Sequence, residues 1–242
     1  MNPTYLKYEI LRTVRNRQAF IFSLVFPIAM FFIFGTTSKT DSNFDRGING
    51  AAFYMIGMLG FGTIGAVVAG GGRISMDRQS GWNRQLRLSP LSPRTYLATK
   101  VLLGYLVAFM TIALLYAAGI SQGVRLSAAH WIEMTVLILI ALIPFAALGV
   151  WVGHRFSPDA MGPLMGGLLS LFSIVGGSYF PVSGTVIGKI GSWTPSYWLN
   201  QAGRVGLGGD VWSGKGWAVI AVWSAVFAVL GARAYRADTK RA

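Results

Sequence analysis

Two glycine-rich stretches, two histidines and one arginine-rich run are where residue type and spacing in this 242-residue chain could do chemistry. Residues 60–65 (G-F-G-T-I-G) match the dinucleotide fingerprint, in which glycines let a pyrophosphate approach the start of a helix. That chemistry needs a strand before it, a helix after it and an acid about twenty positions on, in a soluble fold. Here Gly60, Gly62 and Gly65 sit inside an apolar run, so they read as small residues that let membrane helices pack closely. Residues 209–216 (G-D-V-W-S-G-K-G) have the spacing of a phosphate-cradling loop, but Gly216 stands where a Ser or Thr would hold magnesium. No ATP site is predicted in this chain. His130 and His154 bracket one apolar segment with no second histidine or carboxylate at ligand spacing, and both read as interfacial residues. Glu133 is placed for a local polar contact near His130. With no cysteine, disulfides, thiolate catalysis and Cys-ligated metals are excluded.

The arginine-rich run, residues 73–96, carries Arg73, Arg78, Arg84, Arg87 and Arg94. Asp77 can cap a short helix in it. Trp82 and Leu86 stand four apart and share a face, with Arg84 and Arg87 on the other side. Pro90 ends the helix, and Ser92-Pro93 starts the next one. One aromatic, one leucine and several arginines on a short helix suit docking into a groove of a soluble partner. The alternative is a solvated basic loop that touches anionic lipid headgroups.

The elements that carry these residues must be membrane helices. The chain is 53% hydrophobic and 12% charged, with a mean hydropathy of +0.53. A soluble globule would be about one quarter charged, and a disordered chain would be poor in apolar residues. Six segments can cross about 30 Å of hydrocarbon at about 1.5 Å per residue. They are 19–35 with Pro27, 50–71, 96–119, 131–153 with Pro144, 161–180 and 217–235. Neighbouring helices can satisfy the carbonyls that internal prolines free.

Charge position sets the orientation. Of 21 basic residues against 8 acidic, fifteen fall in the amino end, the second and fourth connections and the carboxyl end. Both termini are therefore expected in the cytoplasm, which an even number of crossings allows. A basic start before an apolar run also fits a secretory signal, but the run is long, no A-x-A site follows and five more spans come after it. Before the first span, Leu6, Ile10, Val14 and Leu11 lie on one side of a helical wheel, with Tyr5, Glu9, Arg12 and Asn16 opposite. This reads as an interfacial amphipathic helix, or as a plain basic anchor that sets topology. Residues 181–216 are too broken for a straight crossing yet rich in Ile, Trp, Tyr and Leu, which fits short outer-leaflet or re-entrant helices.

Residues 80–100 (S-G-W-N-R-Q-L-R-L-S-P-L-S-P-R-T-Y-L-A-T-K) resemble the cytoplasmic signature of ABC-transporter permeases of the type-2 export family (ABC-2 type). In that family the signature lies between the second and third spans and contains the coupling helix that meets the ATPase. Residues 176–181 (G-G-S-Y-F-P) with 193–198 (W-T-P-S-Y-W) look like the family's outer segment before the last span. Residues 8–27 are similar to its amphipathic lead-in and first span. The patches cover nearly the whole chain in order. Many members carry an acid just before the coupling-helix glycine, where this chain has Gln79 and Ser80; the departure bears on a salt bridge there, not on docking.

The resemblance implies an all-α, polytopic integral membrane protein with one transmembrane domain over 1–242. It would have six transmembrane helices, an N-terminal amphipathic helix over 1–18, a cytoplasmic coupling segment over 73–95 and short outer helices in 181–216 before the last span. It implies a plasma (inner) membrane location, a second permease copy or paralogue, and a pair of cytoplasmic ABC ATPases that bind ATP and magnesium, leaving no cofactor in this chain. Membrane lipids are expected partners and nucleic acid is not. Carried over, Gly81, Trp82, Arg84, Leu86 and Arg87 become ATPase contacts. Gly162, Gly166 and Ser170 at four-residue intervals, with Ser173 and Gly177, suit permease–permease packing, or packing within one subunit.

Away from the membrane ends, none of the six spans carries Asp, Glu, Lys, Arg or His. Proton- or sodium-coupled carriers need such groups at depth, so energy for uphill transport would have to come from a separate subunit. The expected function is the membrane subunit of an ATP-driven exporter. Aromatic and methionine-bearing spans suit a hydrophobic drug, antibiotic or lipid-like substrate. The rival readings are an energy-independent channel and a non-transporting anchor or sensor.

Overall fold

The computed structural model describes residues 3–15, 21–38, 44–45, 47–82, 92–207 and 212–241. Among the described residues there is no β-strand; the elements are α1 (Pro3–Arg15), a π-helical turn (Ile21–Val25), α2 (Phe26–Thr37), α3 (Gly50–Gln79), α4 (Pro93–Ser121), α5 (Ala128–Ala141), α6 (Ile143–Arg155), α7 (Pro158–Gly176), α8 (Val186–Gly191), α9 (Pro195–Gly203) and α10 (Gly214–Arg241). Among the described residues, five stretches are long and apolar enough to cross a membrane: Gly50–Gln79, Arg94–Ser121, Ala128–Arg155, Pro158–Gly176 and Gly214–Asp238. Ser23–Thr37 is apolar but shorter. The sixth expected crossing, 19–35, rests on that shorter helix, and residues 16–20 lie outside the described residues.

Helix starts follow the local chemistry. Side-chain oxygens of Asn49, Ser92, Ser127 and Thr185 accept from the backbone N–H groups of Ala52, Thr95, His130 and Gly188 at 2.8–3.3 Å, which satisfies donors that a first turn leaves free. Helix α7 stops at Gly177, whose φ of +76° breaks the helical path while Ser178 N–H bonds back to the Ser173 carbonyl. The expected span to residue 180 is therefore shorter by a turn.

Pro27 has no N–H for the Ser23 carbonyl, and the Thr111 hydroxyl of α4 donates to that oxygen at 3.1 Å. Around Pro144, where α5 gives way to α6 at Leu142, the Tyr105 hydroxyl donates to the Leu139 carbonyl at 3.2 Å. In both places a neighbouring helix supplies a hydrogen bond at the proline break.

Helix α3 is the centre. Its glycines let other backbones reach it: a Cβ on Gly153 of α6 would lie 2.5 Å from the Gly71 carbonyl, and one on Gly104 of α4 would lie 2.9 Å from the Val67 Cα. Gly60 and Gly62 give the close packing expected of them, against Asn200 and Thr111 respectively, whereas a Cβ on Gly65 would meet only ordinary contact with Leu169. Between apolar helices in lipid such approach yields the dispersion contacts that the hydrophobic effect no longer supplies. Phe31, Met55, Met58, Leu59, Ile112, Leu115 and Phe145 fill the remaining core. Leu102, Leu106, Phe109 and Leu114 on α4 and Val222, Val226 and Val229 on α10 are exposed, forming outward faces suited to hydrocarbon.

One local expectation is corrected, and one helix face is assigned. Residues 73–79 continue α3 rather than opening a separate segment, so Asp77 caps nothing and lies inside the helix, buried. The polar face of α1, with Tyr5, Glu9 and Arg12, turns toward the protein, and Leu11 on the opposite face is exposed.

Candidate functional site

Three helices meet at the basic end of the bundle, and each brings a polar pair spaced four residues apart, hence on one face. Glu9 and Thr13 come from α1, Arg73 and Asp77 from α3, and Tyr96 and Lys100 from α4. Lys100 Nζ lies 2.8 Å from both Glu9 Oε2 and Asp77 Oδ2. Asp77 also accepts from Arg12 Nη1 at 2.7 Å and from the Tyr96 hydroxyl at 2.9 Å. Arg73 Nη1 donates to Thr13 Oγ1 at 3.2 Å, and Thr13 donates to the Glu9 carbonyl. Glu9, Arg73, Asp77 and Lys100 are all buried.

Burial of such groups is tolerated only when they are paired and hydrogen-bonded. Burial and the nearby charges of Glu9 and Asp77 raise the Tyr5 pKa, so its phenol stays protonated. Burial alone would lower the Arg12 pKa, but the hydrogen bond and charge of Asp77 hold it above its ordinary value. The cluster thus fastens the amphipathic helix to the adjoining ends of α3 and α4 by directional contacts.

A second set extends the fastening to α6 and α10. Asp238 Oδ2 lies 2.9 Å from Arg78 Nε and 3.1 Å from His154 Nδ1. Arg78 Nη1 also donates to the Gly153 carbonyl at 3.0 Å, and Ser75 donates to the Phe156 carbonyl at 2.8 Å. At the other end of the molecule, Asn200 Nδ2 donates to the Gly176 carbonyl at 2.7 Å and to Ser178 Oγ at 3.0 Å. Nearby, Arg204 pairs with buried Asp45. These contacts tie the short helix α9 to the loop after α7 and to the segment before α3.

Of the residues singled out for partner contact, Gly81 takes a φ of +69° where the chain leaves α3, a geometry that favours glycine. Trp82 beside it is exposed. Arg84, Leu86 and Arg87 lie outside the described residues. The proposed packing stripe divides. Gly162, Gly166 and Ser170 are exposed, and a Cβ on either glycine would meet nothing within 4 Å. Ser173 and Gly177 are buried within this subunit, where a Cβ on Gly177 would lie 2.6 Å from Val182 Cγ2.

The ionic cluster itself was missed by sequence reasoning. Its partners are up to 91 residues apart. The available signal was the repeated four-residue spacing of polar residues next to apolar runs, in a chain with only 8 acidic residues.

An all-helical, multi-pass membrane protein whose helix ends are locked by buried ion pairs is the class that fold and site define. Within that class, residues 4–207 match the family model described as ABC-2 type transporter, and the chain belongs to that family. It is also 28% identical over 193 residues, 78% of each chain, to "Putative transport permease YvfS" of Bacillus subtilis (strain 168). The protein is therefore a membrane transporter subunit of the permease kind.

Proposed function

We propose that this chain is the membrane-spanning subunit of an ATP-driven exporter, worked by a separate pair of cytoplasmic ATPases. It crosses the plasma membrane six times with both termini in the cytoplasm, and ATP and magnesium bind the partner. The observation that carries this reading is the buried tie among Glu9, Asp77 and Lys100, one turn from the exit at half-buried Gly81 and exposed Trp82. A push on residues 80–95 by an ATPase would reach α1, α3 and α4 together, because separating them breaks paired charges in a dry setting. The uncharged middle of the membrane segments supports an outside source of energy.

A second permease packs through the Gly162, Gly166 and Ser170 face of α7, where no side chain of this subunit blocks close approach. The cargo is a hydrophobic drug, antibiotic or lipid-like molecule, in keeping with the aromatic and methionine content of the membrane segments. Trp82→Ala and Leu86→Asp, reconstituted with the partner ATPase, should keep membrane insertion and ATP hydrolysis but lose transport. Normal transport by both variants would refute the docking assignment.

A further inference from the structure

The ionic cluster is not neutral. Among the described residues, Arg12, Arg73 and Lys100 share the two carboxylates of Glu9 and Asp77, which leaves one positive charge in excess. The excess falls on Arg73. Lys100 and Arg12 each contact carboxylates, whereas Arg73, with 6% of its surface exposed, has a threonine hydroxyl as its hydrogen-bond acceptor. Its Nε and Nη2 atoms are buried without a hydrogen-bond partner. A guanidinium in that state calls for an anion, since unpaired charge is costly away from water.

Arg73 forms part of the wall of a cleft of about 450 Å³ whose other lining residues are Tyr8, Leu11, Arg12, Arg15 and Met76. Three arginines thus line one space, and guanidinium geometry matches phosphate oxygens in paired hydrogen bonds. Arg73 is buried at the base of the cleft, while Tyr8, Leu11 and Met76, 66%, 47% and 49% exposed, share its rim with exposed Arg12 and Arg15. Arginines beside apolar side chains at one opening suit a headgroup that continues into acyl chain. The cleft lies on the outer face of an amphipathic helix, at the end of a membrane-crossing one.

We infer that this cleft binds the phosphate of an anionic membrane lipid, with Arg73, Arg12 and Arg15 holding the phosphate oxygens and Tyr8, Leu11 and Met76 lying along the glycerol and upper acyl chain. Bound lipid supplies the missing negative charge, so the junction of α1 with α3 is complete only in a membrane that contains such lipid. The site is independent of whether the chain exports anything, because it is read by binding alone.

The test uses the full chain purified in a neutral detergent. Phosphatidylglycerol, phosphatidylcholine and inorganic phosphate are titrated in separate arms, with thermal unfolding and native mass spectrometry as readouts. Phosphatidylglycerol should bind saturably and raise the unfolding temperature well beyond phosphatidylcholine. Arg73→Gln should weaken it about tenfold, and Arg15→Gln, exposed and so less dependent on folding, about threefold. Arg73→Lys, which keeps the charge but loses the fork, should fall between wild type and Arg73→Gln. Inorganic phosphate binding as tightly as the lipid, and lost in the same variants, would support the site while assigning it to a soluble phosphate. Equal binding of the two lipids, or wild-type affinity for phosphatidylglycerol in folded Arg15→Gln and Arg73→Lys, would overturn the inference.

Discussion

Replacing Lys100 by methionine, Glu9 by glutamine, and then both together separates the cost of a broken buried ion pair from the worth of an intact one. Lys100 Nζ lies 2.8 Å from Glu9 and 2.8 Å from Asp77, and the three side chains are 1%, 5% and 1% exposed. At an effective dielectric of about 20, each contact attracts by about 6 kcal/mol. Desolvation of several kcal/mol per ion offsets most of that. The intact pair should therefore contribute little beyond an apolar replacement, while a severed one is expensive. Lys100→Met leaves Glu9 with Arg12 at 3.7 Å, a side chain 48% exposed, and should cost about 4 kcal/mol. Glu9→Gln leaves Lys100 bound to Asp77 and should cost about 2 kcal/mol. The double variant should cost about 3 kcal/mol, so the coupling is also about 3 kcal/mol. Reversible unfolding in mixed micelles reads all four corners of the cycle. Costs that add to within about 0.5 kcal/mol would mean that the two groups do not sense each other, and the picture of a fastened junction would fall.

Two further outcomes follow from the helix contacts. Thr111→Val should destabilise by about 1 kcal/mol by stranding the Ser23 carbonyl; adding Pro27→Ala, which restores a backbone donor, should recover the loss in the same unfolding assay, and no recovery would disprove the proline argument. Gly153→Ala should disrupt the fold, because its Cβ would stand 2.5 Å from the Gly71 carbonyl, whereas Gly162→Ala meets open space and should leave the single subunit as stable as before. Size-exclusion profiles and protease resistance distinguish these, and equal behaviour of the two variants would contradict the packing described.

The all-helical class and the places of the long apolar helices were legible because membrane segments advertise themselves by length and by the absence of charge. The same rule left the ionic cluster out of view. Arg73 and Lys100 belong to the basic run that sets the orientation, yet they lie within α3 and α4, where Lys100 pairs with Asp77. Charge marks a boundary only when its partner is water, and pairing across helices is invisible to a one-dimensional pattern. The contact of Glu9 on α1 with Lys100 is hidden for the same reason, since the two stand 91 residues apart. Gly177 was grouped with Gly162 and Gly166 by spacing, but its positive φ assigns it to helix termination. The family motif pointed to residues 80–100, and the meeting of Tyr96 and Lys100 with the polar pairs of α1 and α3 became visible only in three dimensions.

Where α3 meets α6 at Gly71 and Gly153, and α4 at Val67 and Gly104, main chain touches main chain with no side chain between. Side chains can yield by rotating, but polypeptide backbones in contact can only separate. Relative sliding of these three rods would open voids along their whole seam, so they can swing only as one block. Any alternation of shape is then left to the outer rod α7, most of whose surface faces away from this block.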